Sequence, residues 1–156
     1  MKRSNLTPRL PITMSRDYFG TCEGLYLLHI WDRVNQHCPV ATDIAVHFLV
    51  TSSQGFGHNR FRAKVSRYFK HVKLSSVQEQ KILTSILGKL SNGEIDEQFI
   101  EQLRYALFLD THKTITCANQ NLTSNKSYVV RYAQKVLEIH LQRELVKSHL
   151  KSFKFG

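Results

Sequence analysis

An all-α fold, a compact bundle or orthogonal array of about six helices without significant β-sheet, is what this sequence predicts. Three observations carry that reading. Apolar residues recur at three- and four-residue spacings in one segment after another. Capping residues mark where several of those segments start and stop. No stretch alternates polar and apolar residues as a half-buried strand would, and only 7 Gly and 3 Pro in 156 residues leave little room for a loop-rich architecture.

The chain divides into a basic arm over 1–14, one helical domain over 15–152 and a short tail over 153–156. Pro8 and Pro11 bias the arm away from helix, and it carries Lys2, Arg3 and Arg9. A first helix is expected from Ser15, its cap, to about Gln36, with Leu25, Leu28 and Trp31 in period and Gly20 and Gly24 one turn apart. Pro39 suits a first helical position, and Ala41, Ala45 and Leu49 then keep a spacing of four, so 39–51 reads as a buried helix. A strand over 44–50 is the alternative there. Ser52 to Gly57 is a loop, and its Gly55-Phe56-Gly57 reads as a hinge before it reads as a phosphate cradle, because no P-loop ending follows.

Residues 58–73 give the cleanest amphipathic pattern, with Phe61, Val65, Tyr68 and Val72 on one face. Ser76-Val77-Gln78-Glu79 has the form of a capping box and opens a helix that Asn92-Gly93 closes. A further helix follows at about 95–109. Residues 110–125 are polar and read as irregular, with at most a turn around Ile115–Ala118. Ser124 is placed to cap the last helix, about 126–152. There Val129, Ala133, Val136 and His140 keep the period, and Leu137, Leu141, Leu145 and Leu150 are expected to pack alongside.

Composition bounds the function. A chain that is 42% hydrophobic over 156 residues can bury a proper core without staples. Three Cys make no disulfide framework and favour a reducing compartment. The longest apolar run, Ile44 to Val50, is too short to span a bilayer, and no apolar stretch follows the basic N-terminus as in a secretion signal. A cytoplasmic protein is therefore expected, and the glycosylation-like triplets at Asn5, Asn121 and Asn125 read as chance. Lys plus Arg number 22 against 12 Asp plus Glu, a net charge of +10, which points to a polyanionic partner such as nucleic acid.

The charge is clustered. Between Asp43 and Glu79 there is no acid, while Arg60, Arg62, Lys64, Arg67, Lys70 and Lys73 all fall in that gap. On a helix, Arg60, Lys64, Arg67 and His71 make one stripe beside the apolar one. A second basic run holds Lys126, Arg131, Lys135, Arg143, Lys147 and Lys151, with Lys154 in the tail. These twelve residues, Lys154 left aside, are the candidate contacts to a sugar–phosphate backbone, and Phe56, Phe69, Phe153 and Phe155 are candidates for stacking on bases, while Tyr68 belongs to the core.

Catalytic and metal chemistry finds less support. Cys22, His29, His37 and Cys38 lie close together but without metal-ligand spacing, so neither a metal nor another cofactor is expected. Arg143 and His149 resemble the loose Arg-x4-6-His signature of HEPN ribonucleases, which would make the chain a dimeric, metal-independent ribonuclease. A helical adaptor for an acidic protein is the third reading.

With helices and basic runs laid out, the chain resembles the small subunits of CRISPR Cascade-type effector complexes, through Arg60, Arg62, Lys64, Arg67 and Lys70 on one helix and Arg131, Lys135, Arg143 and Lys147 on another. The resemblance is one of size, charge and helical content over residues 15–152, without a defining short motif. It implies a non-catalytic prokaryotic protein that holds a displaced DNA strand or an RNA–DNA hybrid by its backbone, beside further copies of itself and other subunits of the complex.

Overall fold

The structure, a computed structural model, describes residues 22–55 and 57–153. The arm over 1–14, the cap at Ser15, Gly20, Phe56, Lys154 and Phe155 lie outside the described residues, as do the side chains of Cys22, Lys151 and Phe153. Among the described residues there are seven α-helices, one 3-10 turn and no strand. They are α1 (Cys22–Asn35), α2 (Pro39–Val50), α3 (His58–Tyr68), the 3-10 turn (Phe69–His71), α4 (Ser76–Asn92), α5 (Phe99–Leu109), α6 (Thr111–Asn121) and α7 (Ser127–Phe153). The strand alternative over 44–50 is not taken.

The core is built around α5, which touches α3, α4, α6 and α7. Its Phe99, Leu103, Tyr105 and Ala106 are fully buried, and α4 meets it with Ile82, Ile86 and Leu90. Each such aliphatic side chain stabilises the fold by about 1.5–3 kcal/mol relative to exposure. On the far side α2 contributes Ala45 and Leu49, and α1 contributes Leu27, Ile30 and Val34.

Local chemistry explains the ends of several elements, and corrects some expectations. The capping box sits one residue earlier than Ser76–Glu79: Ser75 is the cap, its Oγ accepting from Gln78 N at 3.2 Å while its own N–H donates to Gln78 Oε1 at 2.9 Å. Both registers fit the Ser-x-x-Glu/Gln pattern, but this one lets Gln78 Nε2 donate to Asp43 Oδ1 at 2.7 Å and tie α4 to α2. Gly93 closes α4 at φ 74°, where a side chain is strained and an added Cβ would come within 2.7 Å of the Tyr128 hydroxyl.

Residues 111–121, expected to be irregular, form helix α6. Asp110 caps it through Lys113 N at 2.9 Å. Thr114, Cys117, Ala118 and Asn121, at helical spacing, form its buried face against α7 and α4. The two polar members bond inward: Thr114 Oγ1 donates to Asp110 O at 2.7 Å, and Asn121 Nδ2 to Cys117 O at 2.8 Å and Ser91 Oγ at 3.1 Å. Ser124 does not cap α7 directly; its Oγ accepts from Lys126 N at 3.3 Å in the turn before the helix.

Helix α7 is docked only along its first half. Val129, Ala133 and Val136 are fully buried, whereas Leu141, Leu145 and Leu150, expected to pack inward, are 61%, 52% and 61% exposed. Every residue from Leu141 to Leu150 is exposed, so about 15 Å of helix extends past the body.

Candidate nucleic-acid interface

Not every cation of the α3 run faces solvent. Buried residues on α3 and just beyond it are His58, Phe61, Arg62, Ala63, Val65, Ser66 and Phe69, and His58, Phe61, Arg62, Val65, Ser66 and Phe69 follow one stripe at alternating spacings of three and one. Arg62 falls inside that stripe and is 2% exposed. Its Nε donates to Phe48 O at 2.9 Å, its Nη1 to Asn59 Oδ1 at 3.1 Å, and its Nη2 to the carbonyl of Ser53 and to Ser53 Oγ. Asp96 lies 3.7 Å from Nη1. Arg62 is thus withdrawn from the proposed interface: it serves the C-terminal end of α2, whose last carbonyls have no partner within the helix.

Lys89 completes that cap from α4. Its Nζ donates to Leu49 O at 2.7 Å and Thr51 O at 2.9 Å, while Ser85 Oγ takes Val50 O at 2.7 Å. Burial, with the neighbouring Arg62 guanidinium, pushes the Lys89 ammonium down to about 8, against the pull of Asp96 and Glu94. Burial raises the Asp96 carboxyl from its ordinary value despite Arg62 beside it. Phe69 is likewise in the core, 1% exposed and 6.3 Å from the Tyr105 ring, and is not available to bases.

Arg60, Lys64 and Arg67 do form an exposed row along α3, and Lys73 is exposed beyond it. The 3-10 turn at Phe69–His71 interrupts the α-helical period before His71, so the stripe ends at Arg67. Trp31 of α1 flanks the row, with Lys64 Nζ 4.2 Å from its ring centre and Tyr68 edge-on at 5.4 Å. Burial lowers the Lys64 ammonium from its usual value, Asp32 opposes this and Arg67 adds to it.

The second basic run reaches the first at Lys70 through its charge. Burial lowers its ammonium, Glu101 counteracts, and Arg143, Arg104 and Arg67 lower it further. One lysine of the 3-10 turn therefore feels arginines from α3, α5 and α7 together. The helical register of α7 explains how Arg143 reaches there. Val129, Ala133, Val136, His140, Arg143 and Lys147 follow one another at spacings of four and three, so they share one seam. Over the body that seam is apolar and buried; past the body it turns cationic.

Other members of the second run have separate tasks. Lys126 Nζ donates to Asn92 O at 2.6 Å and so caps α4. Arg131 and Lys135 both lie over the Tyr132 ring, at 5.9 and 5.4 Å. Lys147 Nζ pairs with Glu144 at 2.8 Å on the exposed helix, a contact of small energetic weight. Arg104, which the sequence reading passed over, bonds Glu101 at 2.6 Å while 44% exposed.

Arg143 and His149 do not form a pair. Six residues on one helix separate them by about 9 Å along the axis and about 120° around it, so a ribonuclease centre would need a second chain. Arg33 Nη2 donates to Cys38 Sγ at 3.8 Å, and among the described residues no three His, Cys, Asp or Glu converge as metal ligands. No helix among them is long and apolar enough to cross a membrane. Set against known proteins, the chain matches no family model, no curated sequence and no solved structure.

The chemistry this arrangement offers is electrostatic. Gathered cations depress one another's proton affinity, and a phosphate placed among them reverses the effect. A cationic surface suits a polyanion in general, since binding one releases counterions and requires no sequence preference.

Proposed function

We propose that this chain is a non-catalytic nucleic-acid-binding domain that holds a sugar–phosphate backbone between the exposed row of α3 and the cationic half of α7. The observation that carries the reading is that Lys70, on the 3-10 turn, feels the charges of Arg67, Arg104 and Arg143, which come from three different helices. Surface contacts come from Arg60, Lys64, Arg67, Lys70, Arg104, Arg143 and Lys147, with Lys73, Arg131 and Lys135 on the flanks. The charge profile suits a subunit of a Cascade-type ribonucleoprotein, in which base pairing reads sequence and the protein holds a displaced strand or a guide–target hybrid. Further copies of this chain and other subunits are the partners in that setting, in the cytoplasm of a prokaryote.

Fluorescence anisotropy of labelled 30-nucleotide DNA and RNA strands over a salt series tests the reading, with end-point samples on a denaturing gel. Binding with a steep salt slope and intact strands supports it. Cleaved RNA, abolished by His149→Ala, would replace it with the ribonuclease. No binding at low salt would leave the adaptor reading, which the exposed Leu141, Leu145, Val146 and Leu150 beside the basic seam favour: an acidic protein with apolar residues fits that helix.

A further inference from the structure

We infer that the cleft between α1 and α3 is a base-stacking site, in which the Trp31 indole takes one nucleobase of a single strand while Arg60, Lys64 and Arg67 hold the adjoining phosphates. This rests on the nucleic-acid reading above and adds to it a preference for unpaired strands. The cleft has a volume of about 640 Å³, within the range that holds a small ligand, and Leu28, Trp31 and Gly57 line it together with those three cations. No acid intervenes in the sequence anywhere from Ile44 to Gln78, so the α3 wall carries cations only, three against the single acid Glu97 that also lines the cleft.

The indole is held ready. Tyr68 meets Trp31 edge-on at an interplanar angle of 71°, which fixes its plane, and only part of Trp31 is buried. Lys64 Nζ over the ring marks a face that accepts a positively charged or π-stacked guest. An arriving base takes that face, and Lys64 moves from the ring to the phosphate beside it. Stacking of this kind tolerates every base, since each has a π-face, and it is closed to a duplex, whose bases are already stacked. The exposed apolar neighbours Leu25 and Tyr26 on α1 extend the non-polar side of the same region.

Trp31 is the sole tryptophan, so its fluorescence reports this cleft alone. The test titrates the whole chain with a 30-nucleotide oligothymidylate and with an abasic strand of the same length, which keeps every phosphate and lacks every base. Oligothymidylate is expected to quench Trp31 and to bind between about fivefold and a hundredfold more tightly than the abasic strand. Trp31→Ala should bring oligothymidylate down to the abasic level without changing abasic affinity, and Trp31→Phe should keep most of the difference. Equal affinity for both strands with unchanged fluorescence would overturn the stacking site and leave the phosphate surface standing. Failure of both strands to bind would overturn the two together. The comparison of strands needs only the wild-type chain, so a folding defect in a variant would not blur it.

Discussion

Arg62 and Lys89 share one end of α2: Arg62 Nε donates to Phe48 O at 2.9 Å and Lys89 Nζ to Leu49 O at 2.7 Å. Two cations from different helices thus satisfy successive carbonyls at the negative end of a third. The most basic segment of the chain therefore does two jobs. Arg62 builds the fold, and its neighbours at 60, 64 and 67 face outward.

The division of labour has a direct consequence. Arg62→Leu removes the donors to Phe48 and Ser53 and takes the nearer of two cations from the half-buried Asp96, so it should cost about 3 kcal/mol or more. Arg60→Gln should stay within about 0.5 kcal/mol of wild type. Urea unfolding midpoints separate the two; equal midpoints would return Arg62 to the surface.

Lys89 gives the fold a pH dependence. Its folded-state value is about 8, below the ordinary value of 10.5. Between those values the unfolded chain binds the proton and the folded one does not, so stability rises with pH through that window. Below about 8 both states are protonated and the contribution is flat. Relative to Lys89→Met, wild type should gain about 1–3 kcal/mol between pH 7 and pH 10. A constant difference across that range would show that Lys89 keeps its charge when buried.

Much of the fold was legible from spacing alone. Pro39 and Gly93 announce their helix ends in the residues themselves, the capping box of α4 was read one residue too late because Ser76–Glu79 fits the same pattern as Ser75–Gln78, and Phe61 with Val65 gives the buried side of α3. Helix α6 was not legible, because its inward positions are Thr114 and Asn121, residues that favour turns until their side chains find buried partners. Arg62 was mistaken for surface although it stands four residues after His58 and three before Val65, within the buried stripe. What decides its burial is Asp96 and the end of α2, both remote in sequence. Arg104 escaped notice as the single cation of α5, and only packing brings its charge to bear on Lys70.

The two halves of α7 should answer differently to the same kind of substitution. Val136→Asp places a charge in the core and should cost about 4 kcal/mol or more. Leu145→Asp, on the part that extends past the body, should change stability by less than about 1 kcal/mol. Thermal melts of the two variants check this. Destabilisation by Leu145→Asp would mean that this stretch is docked.

The central claim is that the α3 row and the α7 seam form one phosphate-binding surface. Its most direct test is the salt dependence of single-strand binding by wild type and by the double variant Arg67→Gln, Arg143→Gln. Each lost phosphate contact to a single strand reduces the slope of log affinity against log salt by about 0.7. The expected result is a slope shallower by about 1.4 in the double variant, with half that change in either single variant and unaltered helicity. Slopes identical to wild type would contradict the account and detach these arginines from any nucleic acid the chain binds.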